Sequence, residues 1–425
     1  MYTTRPPAYT TRRLPSFRRA PSYSAEPRQD EQRLALGASP RAHNFRKASK
    51  NGEIVLRLAQ QNADVVLPVY GLGDIVNGRV HLTRTDNVSV VELQIEGHLK
   101  LKEGGETHHK LCLDKVILWR KNARSPVCPS FLRFARRLPT SFEFGGKNYP
   151  LPPSHSVKLK GLPGFSATIE YSVSAITRVG NTTVSTPFVY YPRSRSAAPV
   201  PPPLLSIESG QFIPQPDWTT YPSVLKMKTK NGLRDVNIKL HLPSSRVFCV
   251  SEGVPFHISF ESDEGTLTAF TLYGPSTTES GSESRKSSAP ATRIRVMRRT
   301  TADARNTAAD GVQGGIWRAD YIGEAKFTPV CTSPTCKSFT GTIEIEPITA
   351  MGFHVPGLSV QDCILLTVAP AEGTRTPPFA GIREAVPVRL TTDPWDASDE
   401  LEEGINIEVA IARRSMSASP SRAAL

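Results

Sequence analysis

The residues of this chain that could do chemistry fall into three groups, and together they point to binding more than to bond-making. The first is the tetrapeptide Pro6-Pro7-Ala8-Tyr9. Paired prolines hold the backbone near polyproline II before a partner arrives, so docking costs little ordering entropy, and the tyrosine ring fills a second pocket. This is the PPxY pattern taken by the aromatic groove of WW domains, with Pro6, Pro7 and Tyr9 as the candidate contacts. Leu14-Pro15-Ser16-Phe17 and Ala20-Pro21-Ser22-Tyr23 are weaker echoes without the doubled proline. The second group is basic: Arg133, Arg136 and Arg137 in one loop-like segment, and Arg293, Arg295, Arg298 and Arg299 along a strand and its end. Guanidinium forks suit phosphate and acidic lipid headgroups. The competing reading is a solvated charged edge that keeps strands from pairing with another chain.

The third group holds thiols and imidazoles. Cys331 and Cys336 flank Ser333-Pro334-Thr335, and His108-His109 lies near Cys112. Zinc requires about four convergent ligands at short, recurring spacings. Neither cluster supplies them, so no metal is expected. Nucleophile elbow, phosphate-cradling loop and dinucleotide fingerprint are all missing, which leaves no candidate catalytic residue and no cofactor. Gly71-Leu72-Gly73-Asp74 sits between two predicted strands with no helix after it, and reads as a hairpin turn.

Composition sets the frame for these groups. A chain of 425 residues suits two domains with flexible ends. The 37 prolines are near twice the usual share, and a hydrophobic fraction of 38% is low for a wholly folded chain, so unstructured sequence must accompany a real core. Of the formal charge of +13, residues 1 to 50 carry +8. A basic arm thus sets the isoelectric point more than the fold does. Pro6, Pro7, Pro15 and Pro21 interrupt any amphipathic transit helix there. No run approaches the roughly 20 apolar residues of a membrane span, and the start of the chain has no apolar signal segment. The six scattered cysteines form no disulfide framework; reduced thiols are expected, and the sequons at Asn87 and Asn181 then carry no meaning.

Strands must position these residues. Val91, Leu93, Ile95, Leu99 and Leu101 alternate with Glu92, Gln94, Glu96, His98 and Lys100, and Phe165, Ala167, Ile169, Tyr171, Val173 and Ala175 repeat the period. Strict alternation predicts antiparallel sheet with one wet face, and long helical periods are missing. Further candidates lie at Ile54–Leu58, Val116–Trp119, Val236–Leu242, Val254–Phe260, Ala269–Leu272, Ile294–Met297, Ile316–Phe327, Thr340–Ile345, Ile364–Val368 and Val386–Leu390. The expected organisation is all-β: a disordered basic arm (1–50), a β-sandwich (51–195), a Pro-rich linker or hinge (196–235), a second β-sandwich (236–395) and a disordered tail (396–425).

With that frame in place, the stretch from Pro68 to Val80, reading PVYGLGDIVNGRV, resembles the N-terminal signature of the arrestin family. The strand Val88 to Leu101 falls where arrestins carry their next core strand. Ile169 to Ala175 resembles the family's late tyrosine-bearing strand, and Thr186 to Arg195 the close of that domain. Gly357 to Val360, continuing to Val368, resembles a strand of the C-terminal domain. The resemblance spans about residues 53 to 392. It implies two tandem immunoglobulin-like arrestin β-sandwiches joined by a hinge, without catalytic activity. Alpha-arrestin adaptors combine that fold with PPxY motifs, which recruit WW-domain HECT-type ubiquitin ligases to the cytosolic tails of membrane transporters or receptors before internalisation. The resemblance therefore implies a cytoplasmic protein, peripheral at plasma membrane or endosomes, with an acidic membrane surface as a further partner. Most such adaptors place PPxY after the fold; here a single clear copy precedes it. The alternative is an arrestin-fold trafficking scaffold, retromer-like in role, that uses no ligase. Nucleic-acid binding by the arm, with Tyr9, Phe17 and Tyr23 as stacking groups, predicts steep salt dependence and is not expected.

Overall fold

The computed structural model describes residues 30–34, 43–61, 66–102, 105–161, 164–178, 182–228, 232–275, 291–303, 316–369 and 377–396. Period-two patterning builds its first half. In chain order the strands are β1 (Glu31–Leu34), β2 (His43–Ala48), β3 (Ile54–Gln61), β4 (Val69–Tyr70), β5 (Ile75–Leu82), β6 (Val90–Lys102), β7 (Glu106–Arg120), β8 (Phe131–Arg137), β9 (Ser141–Phe144), β10 (Lys147–Pro150), β11 (His155–Leu159), β12 (Phe165–Arg178), β13 (Thr183–Tyr190) and β14 (Arg193–Ser196). β2-β3-β5-β8 form a four-stranded antiparallel sheet. It packs on a sheet ordered β4-β13-β12-β6-β7, with β11 beside β12 and β4 parallel to β13. Leu56, Leu58, Val76 and Val80 from one layer meet Leu93, Leu99, Ile169 and Tyr171 from the other in a single core. Along β6 and β12 buried and wetter positions alternate, as one-sided burial requires.

Two glycines mark close approaches. A Cβ on Gly97 would fall 2.4 Å from the Tyr171 ring, whose hydroxyl donates to the Pro152 carbonyl at 2.6 Å. A Cβ on Gly78 would fall 2.1 Å from the Arg57 carbonyl, so only glycine lets β3 and β5 pair this tightly.

The second half contains β15 (Trp218–Leu225), β16 (Val236–Pro243), β17 (Val247–Cys249), β18 (Val254–Glu261), helix α1 (Glu264–Phe270), β19 (Thr292–Ala302), β20 (Ile316–Thr332), β21 (Cys336–Ile345), β22 (Phe353–Val355), β23 (Leu358–Val368) and β24 (Ile382–Thr391). Its main sheet runs β15-β16-β18-β21-β20-β19-β23-β24-β17, with β22 on β23, and curls around its own core of Phe256, Phe260, Phe270, Ile294, Ile364 and Phe379. The protein is all-β, with α1 as the single α-helix among the described residues. No helix among them is long and apolar enough to cross a membrane.

Several boundaries differ from the sequence expectation. β1 and β2 lie inside the segment expected to be arm: β1 pairs with β14, and Phe45 of β2 packs on the first core. Short polar segments hide both strands: β1 is held by β14, far along the chain, and β2 by β3, the next strand, across a short turn. The expected linker, 196–235, contributes β15 to the second sheet and a strap over its outer face. Leu204, Phe212 and Trp218 form a small buried cluster there, and the Trp218 indole N–H donates to the Pro202 carbonyl at 3.0 Å. Isolated anchors among prolines show no period, which conceals the packing. The expected strand at Ala269–Leu272 is instead the end of α1 and a 3-10 turn. Asp263 caps α1 by accepting from the Thr266 N–H, and Leu267 and Phe270 face the core. Gly71–Asp74 is a turn, with Asp74 accepting from the Gly71 N–H at 2.8 Å, but it carries the chain from one sheet to the other and joins no hairpin.

Candidate functional site

Pro6, Pro7 and Tyr9 lie outside the described residues, as do most of the arm and the tail from 397. The arginines expected to meet anions can be placed. Arg133, Arg136 and Arg137 are on strand β8, not in a loop; three arginines among its seven residues leave that edge strand little apolar pattern to read. The three part company. Arg136 reaches β7, where its Nε and Nη2 meet the two carboxylate oxygens of Asp114 at 2.7 and 2.9 Å. Arg137 donates to the Gly73 carbonyl at 3.1 Å and steadies the Gly71–Asp74 turn. Arg133 is exposed and meets no carboxylate among the described residues.

Arg293, Arg295 and Arg299 share the outer face of β19, while Arg298 points to the opposite side. Arg293 lies 3.7 Å from Glu324, and the Arg295 guanidinium stacks 3.6 Å above the exposed Tyr321 ring. Arg299 sits 5.8 Å from the Trp317 ring. Beneath these side chains Met297, Cys363 and Leu365 are buried. Arg298 is structural: it grips Asp362 through Nε and Nη2 at 2.8 and 2.9 Å and also donates to the Ala350 carbonyl. Their side chains are 9% and 1% exposed, so the pair is neutralised internally and cannot meet a ligand.

A second charged network, which sequence pattern alone does not predict, joins the two halves. Glu31 of β1 is 3% exposed and lies 2.5 Å from Arg389 of β24. Arg193 of β14 holds Asp393 with both arms of its fork, Arg195 donates to the Gln32 amide oxygen at 2.9 Å, and Thr392 exchanges hydrogen bonds with Ser194. Burial pushes the Asp393 carboxyl up, but the Arg193 guanidinium and the Thr392 hydroxyl more than offset it and hold it below its ordinary value. The only signal in the sequence is the charge alternation of Arg193-Ser194-Arg195 before the proline-rich stretch.

Three of the thiols are raised too far to act as nucleophiles near neutrality. None of the six is disulfide-bonded, and burial pushes Cys112 and Cys363 up to about 12 and Cys336 up to about 11, so they are protonated near neutrality. Among the described residues no group of His, Cys, Asp and Glu is placed to hold a metal ion. His155, His241 and His257 are each lowered to about 4, chiefly by burial, and stay neutral inside the fold. No protein-family model matches the sequence, and no curated protein matches it either.

Proposed function

We propose that this chain is a non-catalytic, arrestin-like adaptor. Pro6, Pro7 and Tyr9 recruit a WW-domain HECT-type ubiquitin ligase, and the folded halves meet the cytosolic tails of membrane transporters or receptors, which are then ubiquitinated and internalised. The chain works in the cytoplasm, peripheral at plasma membrane or endosomes. The observation that carries this reading is the combination of a PPxY-bearing arm with two β-units joined by a proline-rich strap. An extended ligand peptide in an arm and a broad sheet surface for cargo divide the work of an adaptor between them. The protonated thiols of Cys112, Cys336 and Cys363 and the neutral imidazoles of His155, His241 and His257 are groups of the packed interior.

The test is a pull-down of the full chain on WW domains from a HECT-type ligase. Tyr9→Ala is expected to abolish capture, and unchanged capture would refute the motif reading. Ligase-free trafficking is the outcome if cargo ubiquitination is the same with and without the chain.

A further inference from the structure

The outer face of the four-stranded sheet carries an arrangement that strand registers alone reveal. Arg46 on β2 stands directly opposite Arg57 on β3, Arg57 opposite Arg79 on β5, and Arg79 opposite Arg133 on β8. Four arginines from four strands thus form one rung across the sheet, at the cross-strand spacing of about 5 Å. Arg46, Arg79 and Arg133 are exposed and Arg57 is half-buried. None of the four has an ion-pair partner among the described residues. No acid shares this face, from Asn44, Arg46 and Ala48 on β2 to Phe131, Arg133, Ala135 and Arg137 on β8. Like charges directly opposite one another destabilise a sheet. A fold that merely needed solubility or a guarded edge could interleave glutamates, or confine the charge to the edge strands.

Beside the rung lies an open cavity of about 610 Å³, its floor made by Ala59, Asn77 and Ala135 and its wall by Arg57, Arg79 and Arg133. Small side chains and amides keep that floor low, which lets an anion sink between the guanidinium groups. A cavity of this size matches a headgroup-sized ligand. At the margin of the same face Phe131 is 57% and Ile75 is 44% exposed.

We propose that this rung is a binding site for multiply phosphorylated lipid headgroups at a membrane surface. Clustered phosphates match a row of guanidinium forks, which bind them bidentately and lose the mutual repulsion in doing so. Phe131 and Ile75 lie where an apolar side chain can enter the interfacial region while the arginines stay among headgroups. A single-stranded nucleic acid fits less well. Phe131 is the one exposed aromatic of the face and is already stacked on His81 at 4.5 Å, so successive bases would find no platform. An extended phosphopeptide fits less well too, because added strands run along a sheet edge, and this row runs across the strands. The site requires neither ligase nor cargo, so it stands or fails apart from the adaptor reading.

The experiment is vesicle co-sedimentation of the full chain. Phosphatidylcholine vesicles doped with a bisphosphorylated phosphoinositide are compared with plain phosphatidylcholine. The doped vesicles are expected to bind the wild type, and Arg57→Gln/Arg79→Gln is expected to lose roughly thirtyfold in partition, at about 1 kcal/mol for each arginine. Lys121→Gln/Arg234→Gln removes the same charge at other exposed positions and is expected to bind like the wild type. Equal loss in both double variants would reduce the effect to net charge and overturn the site. Binding of soluble inositol hexakisphosphate without any vesicle partition would overturn the membrane source, and tighter binding of single-stranded RNA than of doped vesicles would overturn the ligand class. A melting temperature for Arg57→Gln/Arg79→Gln at or above the wild-type value shows that any loss is not unfolding.

Discussion

The outer faces of the two main sheets both display arginines, but the arginines are ordered differently and keep different company. On β19 they run along one strand, and each is occupied: Arg293 beside Glu324, Arg295 on Tyr321, Arg299 near Trp317. Together with Tyr321 they roof the buried Met297, Cys363 and Leu365, so their aliphatic stems act as packing. On the four-stranded sheet they run across the strands, and Arg46, Arg57, Arg79 and Arg133 face only one another. Elsewhere the curled sheet is covered again, where the strap lays Phe212 and Trp218 on His241 and His257. One unit thus satisfies its outer face internally, and the other leaves a row of cations in solvent. Residue type does not distinguish structural from functional arginine here; the partner does.

The comparison is broken most forcefully at Arg298, the most deeply buried of the basic-cluster arginines. Arg298→Met leaves Asp362, 1% exposed, as an uncompensated buried charge. The expected loss is about 3–5 kcal/mol in chemical denaturation. Arg298→Met/Asp362→Leu removes both charges and is expected to recover most of that loss. A single variant within about 1 kcal/mol of wild type would mean that the pair is not desolvated as the geometry requires.

The strap gives the next largest effect, and its sign follows from burial. His257 accepts from the Leu204 N–H through Nε2 at 3.1 Å, while its Nδ1 and the Nε2 of His241 are buried without a partner. Burial lowers both imidazoles from 6.5 to about 4; for His241 the neighbouring His257 and Lys239 add to this and Glu261 opposes it. Between those values the unfolded chain binds more protons than the folded one. The stability contributed is therefore complete above pH 6.5 and is lost progressively as pH falls toward 4. One such histidine contributes on the order of 3 kcal/mol over that window. Urea midpoints measured across it should fall in the wild type and fall less steeply in His257→Gln; identical slopes would remove the strap's histidines from the account.

How much of this is legible in the sequence follows from which interactions are local. The strands at Val91–Leu101 and Phe165–Ala175 announce themselves because one buried face repeats every second residue, and the all-β expectation rests on them. The strap does not, because Leu204, Phe212 and Trp218 are separate anchors in a proline-rich stretch whose backbone has few donors to pattern. The arginine rung is the hardest to see. Its members stand at positions 46, 57, 79 and 133, and only long-range register brings them into line. Composition places Arg46 in an arm, and proximity in sequence groups Arg133 with Arg136 and Arg137. The structure divides that trio among a carboxylate, a carbonyl and solvent.

The smallest expected effect is the sharpest test, because it predicts opposite signs for one substitution. Arg295→Gln gives up a cation held 3.6 Å over Tyr321, and should cost about 0.5–1 kcal/mol. Arg79→Gln removes the cation that faces both Arg57 and Arg133, and should stabilise the fold by a few tenths to about 1 kcal/mol. Salt separates the two further. Screening weakens the repulsion within the rung, so the gain from Arg79→Gln should shrink as ionic strength rises, while the packing part of the Arg295 loss persists. Paired denaturation curves at low and high salt read both quantities. A destabilising Arg79→Gln would mean that the rung is already neutralised within the fold, and the row would then be as structural as the one on β19.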